Sequence, residues 1–292
     1  MVFNIVELQN IGLDLLGTSA RILSGLQEGR TRLQADKKEI VTKADIALEE
    51  AVIGYIKQNK IPANIDGEEK RRTKIVENPE LLIVLDPLDG TYRYSRNFLP
   101  HSTIVTIYDT PNPQKIGDAV FTGVYDHETD RLWFTSKGWE VILRKSDESK
   151  EVKTSGVKSL DKDTSGMVDH GPCSSLEDFF RFTKLYQKSW VTNISSAGVH
   201  LASVSSGSFS GTDFYVCWKQ KPEELVSGIL LVENAGGVVT DFEGNPLREK
   251  PYDFNARYET IAAATSELAE EIRKNILPKE KARDLTRLFS NL

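Results

Sequence analysis

The sequence predicts a protein of the α/β (α+β) class, because its two halves arrange helices and strands differently. The first half reads as two helices followed by a run of strands, and successive strands without intervening helices imply an antiparallel sheet. The second half alternates strands with helices, which is typical of a mixed α/β layer. A chain of 292 residues with 39% hydrophobic content can bury a large core.

The N-terminal segment predicts an amphipathic helix over residues 5–26. Ile5, Leu8, Ile11 and Leu15 recur at helical spacing among acidic residues, which fits a surface helix rather than a signal peptide. A second helix is expected over residues 44–58. The strands that follow are expected at residues 81–85, 102–108, 118–125, 131–135 and 140–143.

A charged segment without apolar residues, 144–151, predicts a linker or an exposed hairpin, and it divides the chain. We expect an N-terminal α+β half over residues 1–146 and a C-terminal α/β half over residues 147–292. In the second half, strands are expected at 190–194, 213–218, 237–241 and 260–264. Helices are expected near 176–187, from 197, and at 223–235, 266–275 and 279–289.

Two carboxylates lie three residues apart in the run Asp-Pro-Leu-Asp-Gly-Thr, residues 86–91, inside a turn that is expected to follow an apolar strand. Asp86 and Asp89 offer the oxygen ligands that hard divalent cations such as Mg²⁺ prefer. Asp-Pro and Asp-Gly are also ordinary turn dipeptides, so a purely structural turn is the alternative.

The neighbours of these carboxylates suit both a metal and a phosphate. Pro87 fixes one φ angle and Gly90 lets the backbone approach a ligand, so the Leu88 carbonyl can face inward as a further oxygen. If Thr91 begins a helix, the free N–H groups of its first turn favour an anion. The run therefore predicts a joint metal and phosphate site.

Further acidic residues flank this run at a distance. Glu68 lies in a predicted loop ahead of the strand and could reach its end. Far downstream, Asp213 begins a strand, and Glu223 and Glu224 open a helix. Each piece also has an ordinary interpretation as a cap or a solvated loop, so their order along the chain is the informative feature.

In this order the motifs resemble those of the inositol monophosphatase family of Mg²⁺-dependent, lithium-sensitive phosphomonoesterases. Asp-Pro-Leu-Asp-Gly-Thr is highly specific for this superfamily, and the resemblance spans most of the chain. Three residues in the downstream half depart from the family pattern, because Glu223-Glu224 replaces the usual Trp-Asp and Cys217 stands where inositol phosphatases often have Glu. The segments that carry the resemblance are residues 41–45, 67–69, 86–91, Gly198 and 221–237.

The resemblance implies an α/β/α/β/α layered sandwich with the metal site between its halves and most metal ligands in the N-terminal half. It also implies two or three Mg²⁺ ions. The implied ligands are Glu68, Asp86 and the Leu88 carbonyl for the first ion, and Asp86, Asp89 and Glu224 for the second.

The same resemblance implies the remaining roles in the site. Asp45 would lie in the outer shell or beside a loosely held third ion. The implied catalytic residues are Glu68, Thr91 and Asp45, of which Glu68 and Thr91 would orient and deprotonate a water. The implied substrate contacts are Gly90, Thr91, Gly198 and Asp213.

Several of these residues have simpler alternatives. Thr42 and Asp45 match a capping-box pattern, with Asp in place of the usual Glu or Gln, and the structural and catalytic roles of Asp45 can both hold. The run Lys-Arg-Arg at 70–72 is a solvated loop or, alternatively, guides a phosphorylated substrate. A histidine base is not expected, because a metal-activated water leaves it little to do. The histidines considered for that role are His101, His127, His170 and His200.

The sequence thus predicts a Mg²⁺-dependent phosphomonoesterase of a small phosphorylated metabolite, with inositol monophosphate as the expected substrate. Fructose-1,6-bisphosphate and 3′-phosphoadenosine 5′-phosphate are alternatives, since Tyr-Arg-Tyr-Ser-Arg at 92–96 could stack on a base or grip a second phosphate. Cys217 removes a carboxylate that could bind sugar hydroxyls. An inactive binding protein is a further alternative, although clustered acids repel one another without a cation.

The amino-acid composition limits the classes of binding partner and the cellular compartment that we expect for this protein. The net charge of −6 argues against binding to a nucleic acid polymer. Two cysteines, Cys173 and Cys217, argue against a disulfide framework and suit a reducing compartment. The sequence lacks the long uncharged apolar run of a membrane span. We expect a soluble cytoplasmic protein, and the resemblance implies a homodimer.

Overall fold

The computed structural model describes residues 3–26, 32–35, 40–98, 100–169, 175–193 and 196–290. His170, Cys173 and the end of the strand expected at 190–194 lie outside these ranges. The two helices expected first are present and are followed by a run of strands. The early elements are α1 (Ile5–Gly25), β1 (Arg32–Ala35), β2 (Ile40–Thr42), α2 (Lys43–Gln58), β3 (Ala63–Gly67) and β4 (Arg71–Thr73).

An eight-stranded sheet forms the centre of the first half. Its order is β10-β9-β8-β7-β6-β5-β3-β4, and its described neighbours are antiparallel except β3 and β5, which are parallel. Hairpin connections explain this pattern, since antiparallel neighbours need only short turns. The further elements here are β5 (Leu81–Asp89), α3 (Thr91–Ser95), β6 (Ser102–Tyr108), β7 (Phe121–Asp126), β8 (Arg131–Ser136), β9 (Val141–Lys145) and β10 (Glu148–Val152).

A five-stranded mixed sheet forms the second half, with the order β12-β11-β13-β15-β14. Here β11 is parallel to both of its neighbours, while β15 is antiparallel to both of its own. The elements are β11 (Ser165–Asp169), α4 (Leu176–Arg181), α5 (Thr183–Lys188), β12 (Trp190–Thr192), α6 (Ala197–Ser205), α7 (Gly207–Ser210), β13 (Phe214–Gln220), α8 (Pro222–Asn234), β14 (Val238–Thr240), β15 (Tyr258–Ala263), α9 (Ser266–Asn275) and α10 (Lys279–Ser290).

The core shows five layers. Alternate residues of β5 point to opposite faces, so Ile83 packs with α1 and α2 whereas Val84 packs with α6 and α8. The faces of β13 divide in the same way, because Tyr215 joins α6 and α8 while Val216 packs with α9. The order of layers is therefore helices, first sheet, α6 with α8, second sheet, and helices, which is the expected α/β/α/β/α sandwich. Among the described residues, no helix combines the length and apolar character needed to cross a membrane.

Some expected elements differ in detail. The charged segment 144–151 is the expected hairpin, and its second strand, β10, completes the first sheet, so the chain leaves that sheet only after Val152. The division at 146/147 stays a prediction. The single helix expected near 176–187 is two helices, because the chain bends at Phe182, whose fully buried ring packs against Phe242. Strands β1, β2, β3, β4 and β11 were not expected, and β10 was expected only as part of the hairpin.

A close helix–sheet contact makes one glycine of α1 testable. A Cβ atom at Gly12 would lie 1.9 Å from Cε1 of Phe121, whereas one at Gly17 would meet only Nη1 of Arg21 at 3.6 Å. Gly12→Ala should therefore lower the free energy of unfolding by about 1–3 kcal/mol through overpacking. The matched change Gly17→Ala should leave it equal or raise it by up to about 1 kcal/mol. Urea denaturation measures both, and equal midpoints would contradict the packing described.

Candidate metal centre

Three buried or partly buried carboxylates converge where β5 ends and α8 begins. One oxygen from each of Asp86, Asp89 and Glu224 lies within 4.8 Å of the other two. Asp86 and Asp89 come from the end of β5, and Glu224 lies in the first turn of α8. We call these three residues the acidic cluster. An all-oxygen donor set of this kind fits a hard divalent cation such as Mg²⁺.

A β-bulge turns both aspartates toward the same place. In a regular strand, residues three apart point to opposite faces, so Asp86 and Asp89 would diverge. In β5, Asp86 pairs with Ile104 but Asp89 pairs with Ser102, so β5 carries one extra residue here. The bulge contains Pro87, which has no N–H for the ladder. The acids thus lie in an irregular strand end rather than in the expected turn, which begins only at Gly90.

The backbone and hydroxyl groups around Asp89 fix its carboxylate. Oδ2 accepts hydrogen bonds from Ser102 Oγ at 2.7 Å, Ser196 Oγ at 2.6 Å and the Gly198 N–H at 2.9 Å. Oδ1 accepts from the Ala197 N–H at 3.0 Å. A Cβ atom at Gly198 would lie 3.0 Å from Oδ2 and 2.6 Å from Ile104, so only glycine allows this approach. Gly198, expected at the substrate, is placed against Asp89, and Oδ1 retains a lone pair for an ion.

Glu224 reaches the acidic cluster despite its extra methylene. Its Oε2 accepts hydrogen bonds from the Gln220 side chain and, at 3.3 Å, from the Lys221 N–H. Gln220 is itself held by the Tyr215 hydroxyl, which donates to Gln220 Oε1 at 2.7 Å. These contacts fix the Glu224 carboxylate, one oxygen of which lies within 4.8 Å of oxygens of Asp86 and Asp89.

Electrostatic strain in the acidic cluster is visible in the pKa values of its members. Burial raises the pKa of Asp86 well above its usual range, and the charges of Glu68, Asp89 and Glu224 raise it further. Burial likewise raises the pKa of Glu224, although the Lys221 ammonium opposes the shift. The pKa of Asp89 is raised by burial in spite of its hydrogen bonds. A divalent cation would relieve this repulsion.

Thr91 and Asp45 form a hydrogen-bonded pair beside the acidic cluster. The Thr91 hydroxyl lies 2.9 Å from Asp45 Oδ1 and 2.8 Å from the Leu88 carbonyl oxygen, and its single proton can serve either acceptor. Asp45 Oδ2 accepts from the backbone N–H and the hydroxyl of Thr42 at 2.7 and 2.5 Å, which is the capping contact expected from the sequence. Burial raises the pKa of Asp45 to about 6. Asp45 therefore caps α2 and contacts Thr91 at once.

The Glu68 carboxylate is paired with a lysine from the second half of the chain. Its N–H donates to the Leu85 carbonyl at 3.2 Å, which places the side chain beside the end of β5. Its carboxylate forms an ion pair and a hydrogen bond with Lys221 Nζ. Burial acts to raise the pKa of Glu68, but the Lys221 charge and hydrogen bonds with Lys221 and Asp86 lower it below its usual value.

Asp213 is not brought to the acidic cluster. It precedes β13, whereas Glu224 follows the other end of that strand, about 20 Å away at the usual rise per residue. The Asp213 carboxylate accepts from the Ser165 N–H at 2.7 Å, and its own N–H donates to the Ser165 carbonyl at 2.8 Å. We therefore leave Asp213 out of the proposed site, because its contacts join β11 to β13.

The histidines and the basic run at 70–72, which were also considered from the sequence, have contacts that suit a structural role. Burial lowers the pKa values of His127 and His200 to about 3, so both are neutral at physiological pH. In the 70–72 run, Lys70 pairs with Glu50 at 3.0 Å. Arg72 grips the buried Asp66 through two hydrogen bonds of 2.5 and 2.8 Å.

Two residues near the centre were missed by the sequence analysis. Lys221 lies in one of the segments that carry the resemblance but was given no role, although a lysine two residues before Glu223 is a signal of pairing. Asp169 lies beside Cys217 in the parallel register of β11 and β13. Burial raises the pKa of the Cys217 thiol, and the nearby Asp169 charge raises it further. Asp169 thus supplies a carboxylate next to Cys217, the position at which inositol phosphatases often have Glu.

The fold and the acidic cluster together define a five-layered α/β protein with a candidate divalent-metal centre. The model of the inositol monophosphatase family matches residues 5–278, and the chain belongs to this family of phosphatases, which is generally Mg²⁺-dependent. The predictions of family, fold class and enzyme class are confirmed.

Named relatives and a solved structure agree with this assignment. The fructose-1,6-bisphosphatase/inositol-1-monophosphatase of Thermotoga maritima is 25% identical over 246 residues, which cover 80% of this chain and 86% of the relative. The inositol-1-monophosphatase of Bacillus subtilis is 24% identical, over 78% and 82% of the two chains. The solved structure of a Thermotoga maritima IMPase has a TM-score of 0.74 at 19% identity, over 95% and 98%, and supports the fold.

The repulsion in the acidic cluster predicts an unusual effect of Asp86→Asn. In EDTA, the variant should melt at a higher temperature than the wild type, because a buried repulsive charge is removed. Added Mg²⁺ should stabilise the wild type, by about 2.7 kcal/mol at 100 times its Kd, and should leave the variant unchanged.

Asp241→Asn is the matched control for this prediction. Asp241 is also buried, but the Asn245 hydrogen bonds and the Lys250 ammonium outweigh burial and lower its pKa. Its replacement should lower the melting temperature, as calorimetry can show. A lower melting temperature for Asp86→Asn in EDTA would contradict the electrostatics described.

Proposed function

We propose that this protein is a Mg²⁺-dependent phosphomonoesterase that hydrolyses inositol monophosphate with water as the nucleophile. The observation that carries the proposal is the acidic cluster, whose three ligand oxygens lie within 4.8 Å of one another. An ion held by Asp86, Asp89 and Glu224 would supply positive charge to the phosphate and lower the pKa of a water molecule.

Thr91 and Asp45 are the groups that orient the water and take its proton. The Thr91 hydroxyl can donate its own proton to Asp45 Oδ1, 2.9 Å away, while it accepts a proton from the water. With a pKa of about 6, Asp45 is mostly ionised at neutral pH and can act as the acceptor. Glu68, which the resemblance implied for this step, is paired with Lys221.

The backbone around Gly90 supports binding of the phosphate group. Gly90 adopts a φ of +86°, which a side chain would disfavour, and α3 begins at Thr91 directly after it. The first N–H groups of a helix have no acceptor within it and therefore suit phosphate oxygens. Gly198 acts in this proposal through Asp89 rather than on the substrate.

The surroundings of Cys217 support a substrate rich in hydroxyl groups. Asp169 supplies a carboxylate at the carboxyl ends of the parallel strands β11 and β13, where ligands of α/β sheets usually bind. A second candidate is fructose-1,6-bisphosphate, since Arg96 lies over the exposed Tyr92 ring at 5.9 Å, a few residues after Gly90. The expected homodimer and lithium sensitivity remain predictions from the resemblance, and the cytoplasmic location remains a prediction from composition.

A phosphate-release panel tests the proposed function. Inositol-1-phosphate, fructose-1,6-bisphosphate and 3′-phosphoadenosine 5′-phosphate are compared with Mg²⁺ and with EDTA, and Asp86→Asn serves as the control for contaminating phosphatases. We expect Mg²⁺-dependent release with the highest kcat/KM for inositol-1-phosphate. A higher value for fructose-1,6-bisphosphate would favour the second candidate, and no release from any ester would favour an inactive binding protein.

Removal of the Thr91 hydroxyl should affect the chemical step. Thr91→Ala should lower kcat by about 10²–10⁴-fold and change KM little, because the lost contact acts on the water rather than on the bound phosphate. Ser95→Ala is the control, since Ser95 lies in the same helix and its hydroxyl, among the described residues, donates to the Tyr92 carbonyl at 2.9 Å and accepts from Arg32. Steady-state kinetics would assign Thr91 to phosphate binding alone if KM rose at unchanged kcat.

A further inference from the structure

The ammonium group of Lys221 lies among carboxylates at the junction of β13 and α8. Its Nζ atom pairs with Glu68, and the side chain is only 29% exposed. Glu224, Glu223 and Asp86 also act on it electrostatically. Lys221 is therefore a fixed cation of the site.

The carboxylate implied for a first ion is already paired with a cation. Glu68 forms an ion pair with Lys221, while the Leu88 carbonyl oxygen lies 2.8 Å from the Thr91 hydroxyl. Asp86, the third implied ligand, belongs to the acidic cluster. The donor set fits one ion at the cluster but does not fit a second ion at Glu68.

We propose that the Lys221 ammonium takes the place of a second divalent cation at Glu68, so that the site binds one divalent ion per chain, at Asp86, Asp89 and Glu224. An ammonium is a compact point charge with three donors, so it can neutralise Glu68 without the octahedral geometry that Mg²⁺ demands. The inference rests on the proposed function only in placing a divalent ion at the acidic cluster.

Glu223 gives independent support for a cation at this point. The family pattern has tryptophan here, and this chain has a carboxylate that is 1% exposed. Its Oε2 has no hydrogen-bond partner among the described residues, and the Lys221 ammonium acts on it electrostatically. A buried carboxylate is costly without a nearby positive charge, and Lys221 supplies one.

Counting bound Mn²⁺ tests the inference directly. Equilibrium dialysis of the wild-type protein against Mn²⁺, with bound ion measured by electron paramagnetic resonance, should give one ion per chain. Two ions in the wild type would overturn the inference and leave the proposed function standing, whereas no bound ion would overturn both. This measurement needs no variant, so it decides even if a substitution prevents folding.

Variants test whether Lys221 is the reason that one Mn²⁺ ion, rather than two, binds to each chain. Lys221→Met should raise the count from one ion to two, because Glu68 and Asp86 are freed from the ammonium, and Lys221→Arg should keep it at one. Lys219→Met is the matched control, since Lys219 is exposed and lies over the Trp218 ring at 4.3 Å. It should also keep one ion. A count of one in Lys221→Met would overturn the assignment, as would a complete loss of bound Mn²⁺ in Glu68→Gln.

Discussion

Repulsion between buried carboxylates is the constraint around which both halves of the molecule are arranged. The bulge in β5 brings Asp86 and Asp89 to one side, and α8 of the second half adds Glu224, so the fold itself creates the unfavourable charge. Around it lie the compensating groups, namely the start of α6 against Asp89 and Lys221 against Glu68. The two sheets must pack through the α6 and α8 layer for these groups to meet. Packing of the layers and formation of the acidic cluster thus require the same contacts.

Much of the fold could be predicted because its strongest signals are local. The apolar run of β5 and the helical spacing of α1 reflect burial that each segment achieves by itself. Other strands have no such signal. β3 reads Ala-Asn-Ile-Asp-Gly and β10 is mostly charged, and both are strands because a neighbouring strand offers hydrogen bonds. Likewise, the break at Phe182 depends on a contact with Phe242, sixty residues later in the chain.

The candidate site was predictable as a set of residues and less so as a geometry. Asp86, Asp89 and Glu224 were found from a motif and its order along the chain, and the structure brings them together. The strand expected at residues 213–218 already separates Asp213 from Glu224, so the substrate contact expected at Asp213 depended on the resemblance alone. The pairing of Glu68 with Lys221 joins residues 153 positions apart, so only the tertiary structure reveals it.

The double contact of Asp45 links the start of a helix to Thr91, the residue proposed to orient the water. One oxygen of this carboxylate holds the first turn of α2 closed through Thr42, and the other holds the Thr91 hydroxyl. Helix ends are the first parts of a helix to fray, and they open at a lower free energy than the whole domain. A single opened turn would release the hydroxyl while the five layers remained intact. The stability of one helical turn, rather than of the whole fold, would then set the temperature at which catalysis begins to fail.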